Sequence, residues 1–595
     1  MTPSTTPQGP GKTAPSGPSK PLQFRALPLR ILVVGRFGLP RSQVHRLDAG
    51  GVAGLLDRTA PTLTIRAADL LRADGTELRI HLTFRHRRDF KPAAVAKAVP
   101  EFKRVLAARN APRSDGTADG LRDLAAVHRA LSDKATNQQQ EPTTPAQSKG
   151  SEQGEADSSG DDSIDRLLDM VDGSVASPGA KPEPIDDPAR RALSGFISEV
   201  TRGSKRPASS SSAAPEGLEA ILSAQIAAVL DHPDFRCLER GWTALRFLAR
   251  RIDQQARITI DVVEADADAV ADALESTVPE DDLDPVGPVR LVVDLNDYDA
   301  SDRDIARLRR LAGFGASRRS VVLTNAGSDF AGEAGSGSLA VMHDPETRFA
   351  DDRYTAWRSL RDAPDTAWLG LCLSRFALRD AHDGPHDRAS PASGSRWIGR
   401  PLGVGAAPAV AALLAAAAAA TGWPYLRGTT DTAVDNLVIL ESGIGDLESP
   451  VHPLLSVNSA DSIASAGLIT LVAERGRDQA RLLRMPSVRR ARDRDSAFET
   501  ALPTTLFQSQ VVHGLQWNAD RLFSAAQPTE LRNRVDAYLS SLIGETGSGS
   551  SVEVRLGDDD DGQPVLSIEV RSGAGVAPGA SMHFEIPITG NDDGG

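Results

Sequence analysis

Cysteine is nearly absent from this chain of 595 residues: Cys237 and Cys372 are the only two. Two thiols cannot build a disulfide framework, and they supply no zinc quartet, so a reducing, cytoplasmic setting is expected. A basic excess is also missing. The 67 Lys and Arg are outnumbered by 80 Asp and Glu, for a net charge of −13, and an acidic chain repels a phosphate backbone. Nucleic-acid binding is therefore not expected. The opening MTPSTTPQGPGKTAPSGPSK has no apolar core of a signal peptide and reads as a disordered tail over residues 1–20. The one long apolar run, Val404 to Gly422, is mostly alanine. Alanine carries little transfer free energy, so this run is read as a packed core helix rather than a membrane span, and no membrane insertion is expected.

Recognisable chemistry is equally scarce. Gly11-Lys12-Thr13 ends like a phosphate-binding loop, but Thr6 stands where its first glycine belongs and no strand precedes it. His382 and His386 have the spacing of two metal ligands on a helix, which Gly384-Pro385 between them forbids. The run Asp558 to Asp561 lacks the spaced ligands of a calcium loop and is read as a solvated hairpin turn. No nucleophile elbow and no spaced Cys/His cluster occurs. No cofactor, no metal and no enzymatic activity are expected.

The chain does contain alternating elements. LPLRILVVGRFG is a short apolar strand ending at a glycine, and Glu77 to Phe84 alternates as a half-buried strand. Asp89 can cap the helix that follows it, with Pro100 kinking or splitting that helix. GLRDLAAVHRALSDKA is a second amphipathic helix. From Thr136 to Gly160 the composition is too polar to bury a core, which marks a linker. SIDRLLDMVDG then forms a helical island with Ile164, Leu167, Leu168 and Val171 as its apolar stripe. Further on, two helices break at His232-Pro233, and ARITIDVVEA, PVRLVVDLNDYD and RSVVLTNAG alternate with the helix DRDIARLRRLAGFG. This alternation predicts an α/β fold, with mixed sheets and helices. SVEVRLGDDDDGQPVLSIEVRSG is a hairpin and MHFEIPI a last strand. The boundaries are set at 1–20 for the tail, 21–135 for a first domain, 136–162 for the linker, 163–215 for helices and linkers, and 216–590 for the large domain.

Two blocks carry a family resemblance, in order along the chain. PLRILVVGRFG with Arg41, LTFRHRRDFKPAAVAKAVPEFKRVLAARN with Asp89, Phe90 and Pro92, and LRDLAAVHRAL resemble the small sheath protein of type VI secretion systems (TssB). LDHPDFRCLERGWTALRFL, with Phe235, Leu238, Glu239 and Trp242 in register, is similar to the large sheath protein (TssC). VVDLNDYD, GWPYLRG and LPTTLFQSQVVHGLQW match further landmarks of that family. Ser374-Arg375-Phe376 stands where the family has Pro-Arg-Phe, and Asp380-Ala381-His382 replaces Leu-Pro-Tyr. The chain thus resembles a fusion of two sheath proteins.

The resemblance implies the sheath-protein fold with strand-exchanging terminal strands, and a subunit that polymerises helically around an inner tube and contracts. Implied partners are further copies of the chain, an inner tube protein, a baseplate, and an AAA+ unfoldase that recycles the sheath. Candidate exchanged strands are Arg30–Val34, with Ile31, Leu32 and Val33, and Val552–Leu556 and Val565–Val570, with Val552, Val554, Leu566 and Ile568. The helix at Ile164–Val171 stands where the family's unfoldase-recognition helix lies. A sheath-derived, non-contracting scaffold or assembly factor is the alternative reading.

Overall fold

The computed structural model describes residues 23–70, 76–103 and 213–588, except 254–255, 281–283, 333–344, 381, 384–396, 399, 427–431, 442–447, 475, 493–495, 525–526, 545–546, 559–562 and 574–578. The expected helices at 121–135 and 163–173, and the linkers around them, lie outside the described residues.

The centre of the fold is a seven-stranded sheet. In chain order its strands are β1 (Leu29–Gly35), β2 (Val44–Arg46), β5 (Ile258–Glu264), β6 (Val289–Tyr298), β7 (Val321–Ala326), β8 (Leu369–Cys372) and β11 (Leu468–Ile469), arranged β11-β8-β7-β6-β1-β5-β2. All neighbours run parallel except β2, which pairs antiparallel with β5. A parallel sheet must be covered on both faces, and its strands accordingly read as apolar runs without polar alternation. β1 is buried at every position. Its side chains alternate between two cores: Leu29, Ile31 and Val33 enter one, Leu32 and Val34 the other.

Helices form the outer layers. The first core is covered by α3 (Ala213–Leu230), α4 (Pro233–Ala249) and α7 (Ala407–Thr421). The second is covered by α5 (Val270–Thr277) and α6 (Asp302–Arg318). The break between α3 and α4 falls at His232-Pro233 as expected, with Pro233 in the first turn of α4 and His232 Nδ1 accepting from the Asp234 amide at 3.3 Å. The alanine run does form a core helix: Ala407 through Ala415 are buried. Small side chains let α7 lie close on the sheet and on α4.

A two-stranded hairpin, β3 (Thr62–Ala68) with β4 (Glu77–Thr83), closes the first core from below. The short α1 (Gly51–Thr59) precedes it. β4 alternates as read, with Leu78, Ile80 and Leu82 inward. Next come a 3-10 turn at Arg87–Phe90 and α2 (Pro92–Ala98). α2 stops before Val99, and helical structure resumes at residue 100, so Pro100 splits the helix.

The C-terminal unit has its own core. α8 (Leu502–Trp517), α9 (Pro528–Gly544) and the strands β12 (Ser551–Asp558), β13 (Pro564–Arg571) and β14 (Ser581–Pro587) surround Phe507, Val535, Leu539, Leu566 and Ile568. The order is β12-β13-β14, all antiparallel.

Candidate assembly surfaces and the joint between the two halves

The segments on either side of residues 104–212 share one sheet. β1, from the first half, lies between β5 and β6 of the second, with Leu32 opposite Asp261 on one side and Val292 on the other. Arg30–Val34, expected as a candidate exchanged strand, is paired on both sides within this chain. Both edges of this strand are hydrogen-bonded within the same chain, so Ile31, Leu32 and Val33 join the halves of one polypeptide and offer no edge to another copy. An apolar run carries no record of which strands flank it, and this is why the sequence left its partner open.

The turn leaving β1 is gripped by the second half. The amides of Phe37 and Leu39 donate to one carboxylate oxygen of Glu264, at 2.6 and 3.2 Å. Burial raises the pKa of that carboxyl, and the amides of Phe37 and Leu39 work against the rise. The indole N–H of Trp242 donates to the Phe37 carbonyl at 2.9 Å, and the two rings meet edge to face at 5.7 Å. Close beside them, a Cβ at Gly241 would stand 2.4 Å from the Arg36 carbonyl oxygen, so only glycine lets α4 approach this turn.

The motif residues singled out in the sequence hold the same joint. Phe90 stacks on Phe84 at 4.3 Å, and both meet the edge of Phe235 at 6.0 and 5.8 Å. Phe235, Leu238 and Trp242 lie on the buried face of α4, as their spacing predicts. Pro92 starts α2 and is buried. Asp89 differs from its expected role: its carboxylate accepts from the amides of Arg85 and His86, at 2.8 and 2.7 Å, and so ties the turn before it instead of capping α2.

Carboxylates at the joint and close to it, buried or half-buried, each meet arginines. Asp261, fully buried, receives Arg30 at 2.7 Å and Arg46 at 2.8 Å. Glu239 is gripped by both arms of Arg379 at 2.6 Å; Arg379 belongs to β9 (Arg375–Arg379), which pairs with β10 (Leu402–Gly405). Asp297 lies between Arg240, at 2.7 Å, and Arg375, at 2.9 Å. Burial alone would raise its pKa, but Arg375 and Arg240 outweigh that and hold it below the usual range. Phe376 packs on Phe247 at 4.8 Å. Ser374 is buried, and its hydroxyl accepts from the Leu471 amide at 2.8 Å.

The long open edges lie elsewhere. The outermost strands of the central sheet, β2 and β11, are three and two residues long. In the C-terminal sheet, β12 and β14 are outermost, with eight and seven residues. Val552 and Val554 lie on β12, an edge strand; Leu566 and Ile568 lie on β13, whose two edges are both taken. Leu556, on β12, is 40% exposed. The start of the first half reaches this unit as well. The Asn518 carboxamide both accepts from the Arg25 amide at 2.7 Å and donates to the Arg25 carbonyl at 3.1 Å, and Phe24 meets Tyr538 at 4.9 Å.

Among the described residues no group of three His, Cys, Asp or Glu could hold a metal ion, and no helix is long and apolar enough to cross a membrane. His382 pairs with Ile398 in a two-residue strand; His386 and the stripe Ile164, Leu167, Leu168 and Val171 lie outside the described residues. Ser509 and His513 are 3.2 Å apart, but both are buried, and burial followed by the charge of Arg290 lowers the imidazole pKa to about 3. Such an imidazole is a poor proton acceptor.

Comparison with known families matches both halves. Residues 214–489 match the VipB family, described as a tail sheath N-terminal domain. Residues 23–140 match the VipA family of type VI secretion systems. Among individual proteins, the chain is similar to the type VI secretion system sheath protein TssC1 of Pseudomonas aeruginosa, with 24% identity over 177 residues. That similarity takes in 27% of this chain and spans 36% of the length of the relative.

Proposed function

We propose, from the premise that this chain is a type VI secretion sheath subunit in which the small and large sheath segments are fused, that it polymerises into a contractile sheath. Copies assemble helically around an inner tube in the bacterial cytoplasm, start from a baseplate, and contract to propel the tube. The observation that carries this reading is the location of the open edges. β1 and β13 are saturated within the chain, whereas β12 and β14 each keep one edge for a strand of another copy. A contact between unlike surfaces does not close on itself, and repeats as a filament.

Fusion gives this assembly a fixed one-to-one ratio of its halves. β1 must enter between β5 and β6, and a tether of some tens of residues keeps it at about millimolar local concentration. Contraction then moves whole chains against one another while the shared sheet stays intact. Recycling by an AAA+ unfoldase through Ile164, Leu167, Leu168 and Val171 completes the reading, with the apolar stripe as a helix-in-groove anchor. Sedimentation tests the reading: the purified chain is expected in the high-speed pellet as polymer, and a chain that stays in the supernatant at all concentrations contradicts it.

A further inference from the structure

Arg30 and Arg290 are both buried in the central sheet, at 4% and 1% exposure, and of the two only Arg30 meets carboxylates. Arg290, on β6, donates to the side-chain oxygen of Gln510 and, at 3.5 Å, to the Pro28 carbonyl. Its Nε has no hydrogen-bond partner, and no ion pair reaches it among the described residues. Burial pushes its pKa down to about 9, with Tyr538 working against the fall, so the guanidinium is still charged at neutral pH. Neutral acceptors do not replace the water and counter-charge that such a group gives up.

The cost falls on the boundary of the C-terminal unit. Gln510 stands midway along α8. Before it, Leu502 and Leu506 pack into the first core beside the central sheet; after it, Val511 and Leu515 pack into the core of the C-terminal unit. α8 is thus an arm held by both bodies, and α9 is pressed against it: a Cβ at Gly514 would stand 2.3 Å from the Tyr538 hydroxyl oxygen. A surface segment of the first half bridges the same boundary from outside. None of residues 23–28 is buried. Phe24 lies on Tyr538, both backbone groups of Arg25 bond Asn518, Arg25 pairs with Asp520 at 2.9 Å, and Arg521 donates to the Gln23 carbonyl. The last residue of the segment, Pro28, gives its carbonyl to Arg290.

We propose that α9 and β12–β14 swing on α8 as a unit, with residues 23–28 as the strap that holds them against the central sheet and Arg290 as the buried charge that favours release. Closed, the strap and the packing of α8 offset the buried charge; open, water reaches the guanidinium. A partner that binds one arrangement better than the other shifts the balance between them. Because the strap runs straight into β1, placing the first half in the sheet also closes the C-terminal unit. The unit carries the open edges of β12 and β14, so the swing sets the angle at which they face another copy. That last step rests on the reading that the chain polymerises.

Phenylglyoxal, which modifies accessible guanidinium groups, tests the swing on the full chain kept dilute, with peptide mass spectrometry locating the label. Phe24→Ala and, separately, Asn518→Ala loosen the strap. Each is expected to label Arg290 about tenfold faster than the parent while Arg30 keeps its parental rate. Equal acceleration at both arginines reports global loosening and overturns the swing, as does no acceleration at Arg290. Arg290→Met with Gln510→Leu replaces both polar partners by apolar groups, and amide hydrogen exchange over residues 528–544 is expected to slow about tenfold. Unchanged or faster exchange there overturns the role of the buried charge. Circular dichroism verifies that each variant is folded. Polymer without the swing overturns this hinge and leaves the sheath reading standing; the swing without polymer does the reverse.

Discussion

The indole of Trp242 donates a hydrogen bond to the backbone carbonyl of Phe37 at 2.9 Å, across 205 residues of sequence. One end lies just past β1, the strand that the first half contributes, the other on α4, the second long helix of the second half. The contact fixes the turn at which the inserted strand leaves the sheet, and Gly241 makes room for it.

Gly241→Ala is expected to loosen this joint. The added methyl would meet the Arg36 carbonyl, and overpacking of this kind costs about 1–3 kcal/mol. Chemical denaturation measures the loss. With a protease site placed in the segment 136–160, the cleaved parent is expected to co-purify as one complex, and the cleaved variant to release its small-sheath half.

Asp261→Asn removes the carboxylate shared by Arg30 and Arg46. Arg30 is 4% exposed, and a buried guanidinium that loses a partner costs about 3–5 kcal/mol. Asp284 remains 3.3 Å from Arg30, which places the expected loss at the lower end. Thermal unfolding of the two proteins, compared at neutral pH, measures it.

Two buried groups give stability opposite pH slopes. His513 is neutral when folded, with its pKa lowered to about 3 from 6.5 by burial and then by Arg290. The unfolded chain binds that proton first, so stability falls as pH drops from about 6.5 towards 3, at up to ~1.4 kcal/mol per pH unit. Asp294 behaves the other way: burial raises its pKa from 3.8 to about 6, against hydrogen bonds from Tyr298, Asn296 and Thr324. The folded chain holds that proton more tightly, so this contribution falls as pH rises from about 4 to 6 and is constant above. His513→Gln is therefore expected to flatten the acid limb, and Asp294→Asn to remove the loss between pH 4 and 6. Denaturant titrations across pH 4–8 separate the two.

Leu556→Asp is expected to cost the isolated chain less than about 0.5 kcal/mol, because the side chain is 40% exposed. It lies on an open edge strand, and a charge there guards against pairing with another strand. Sedimentation is expected to show folded subunits with polymer strongly reduced.

A peptide covering Ser163–Gly173 is expected to bind the AAA+ unfoldase, and Leu168→Asp to abolish binding. Fluorescence anisotropy distinguishes the two peptides, and equal binding would remove the recognition helix from the account.

Much of this fold was legible where a period repeats. β4 alternates, the Phe235–Trp242 spacing marks one helix face, and His232-Pro233 marks a helix start. β3 alternates nearly as well in Thr62–Ala68 but stands between less regular stretches, which hide its period. The strands between Leu369 and Leu482, all but one of them two to four residues long, are too short to show a clear period. The placement of β1 was illegible for a different reason: LRILVV fits any buried parallel position, and its neighbours arrive some 230 and 260 residues later. Nor do Asp261, Glu239 and Asp297 stand out among 80 acidic residues, because a carboxylate's partner is set by tertiary structure.

Electron microscopy of the purified full chain, with no second sheath protein added, tests the central claim most directly. The account predicts hollow helical tubes whose repeating unit is one chain, with β1 between β5 and β6 of the same polypeptide. Monodisperse monomers under all assembly conditions, or tubes that form only when a separate small sheath protein is supplied, would contradict it.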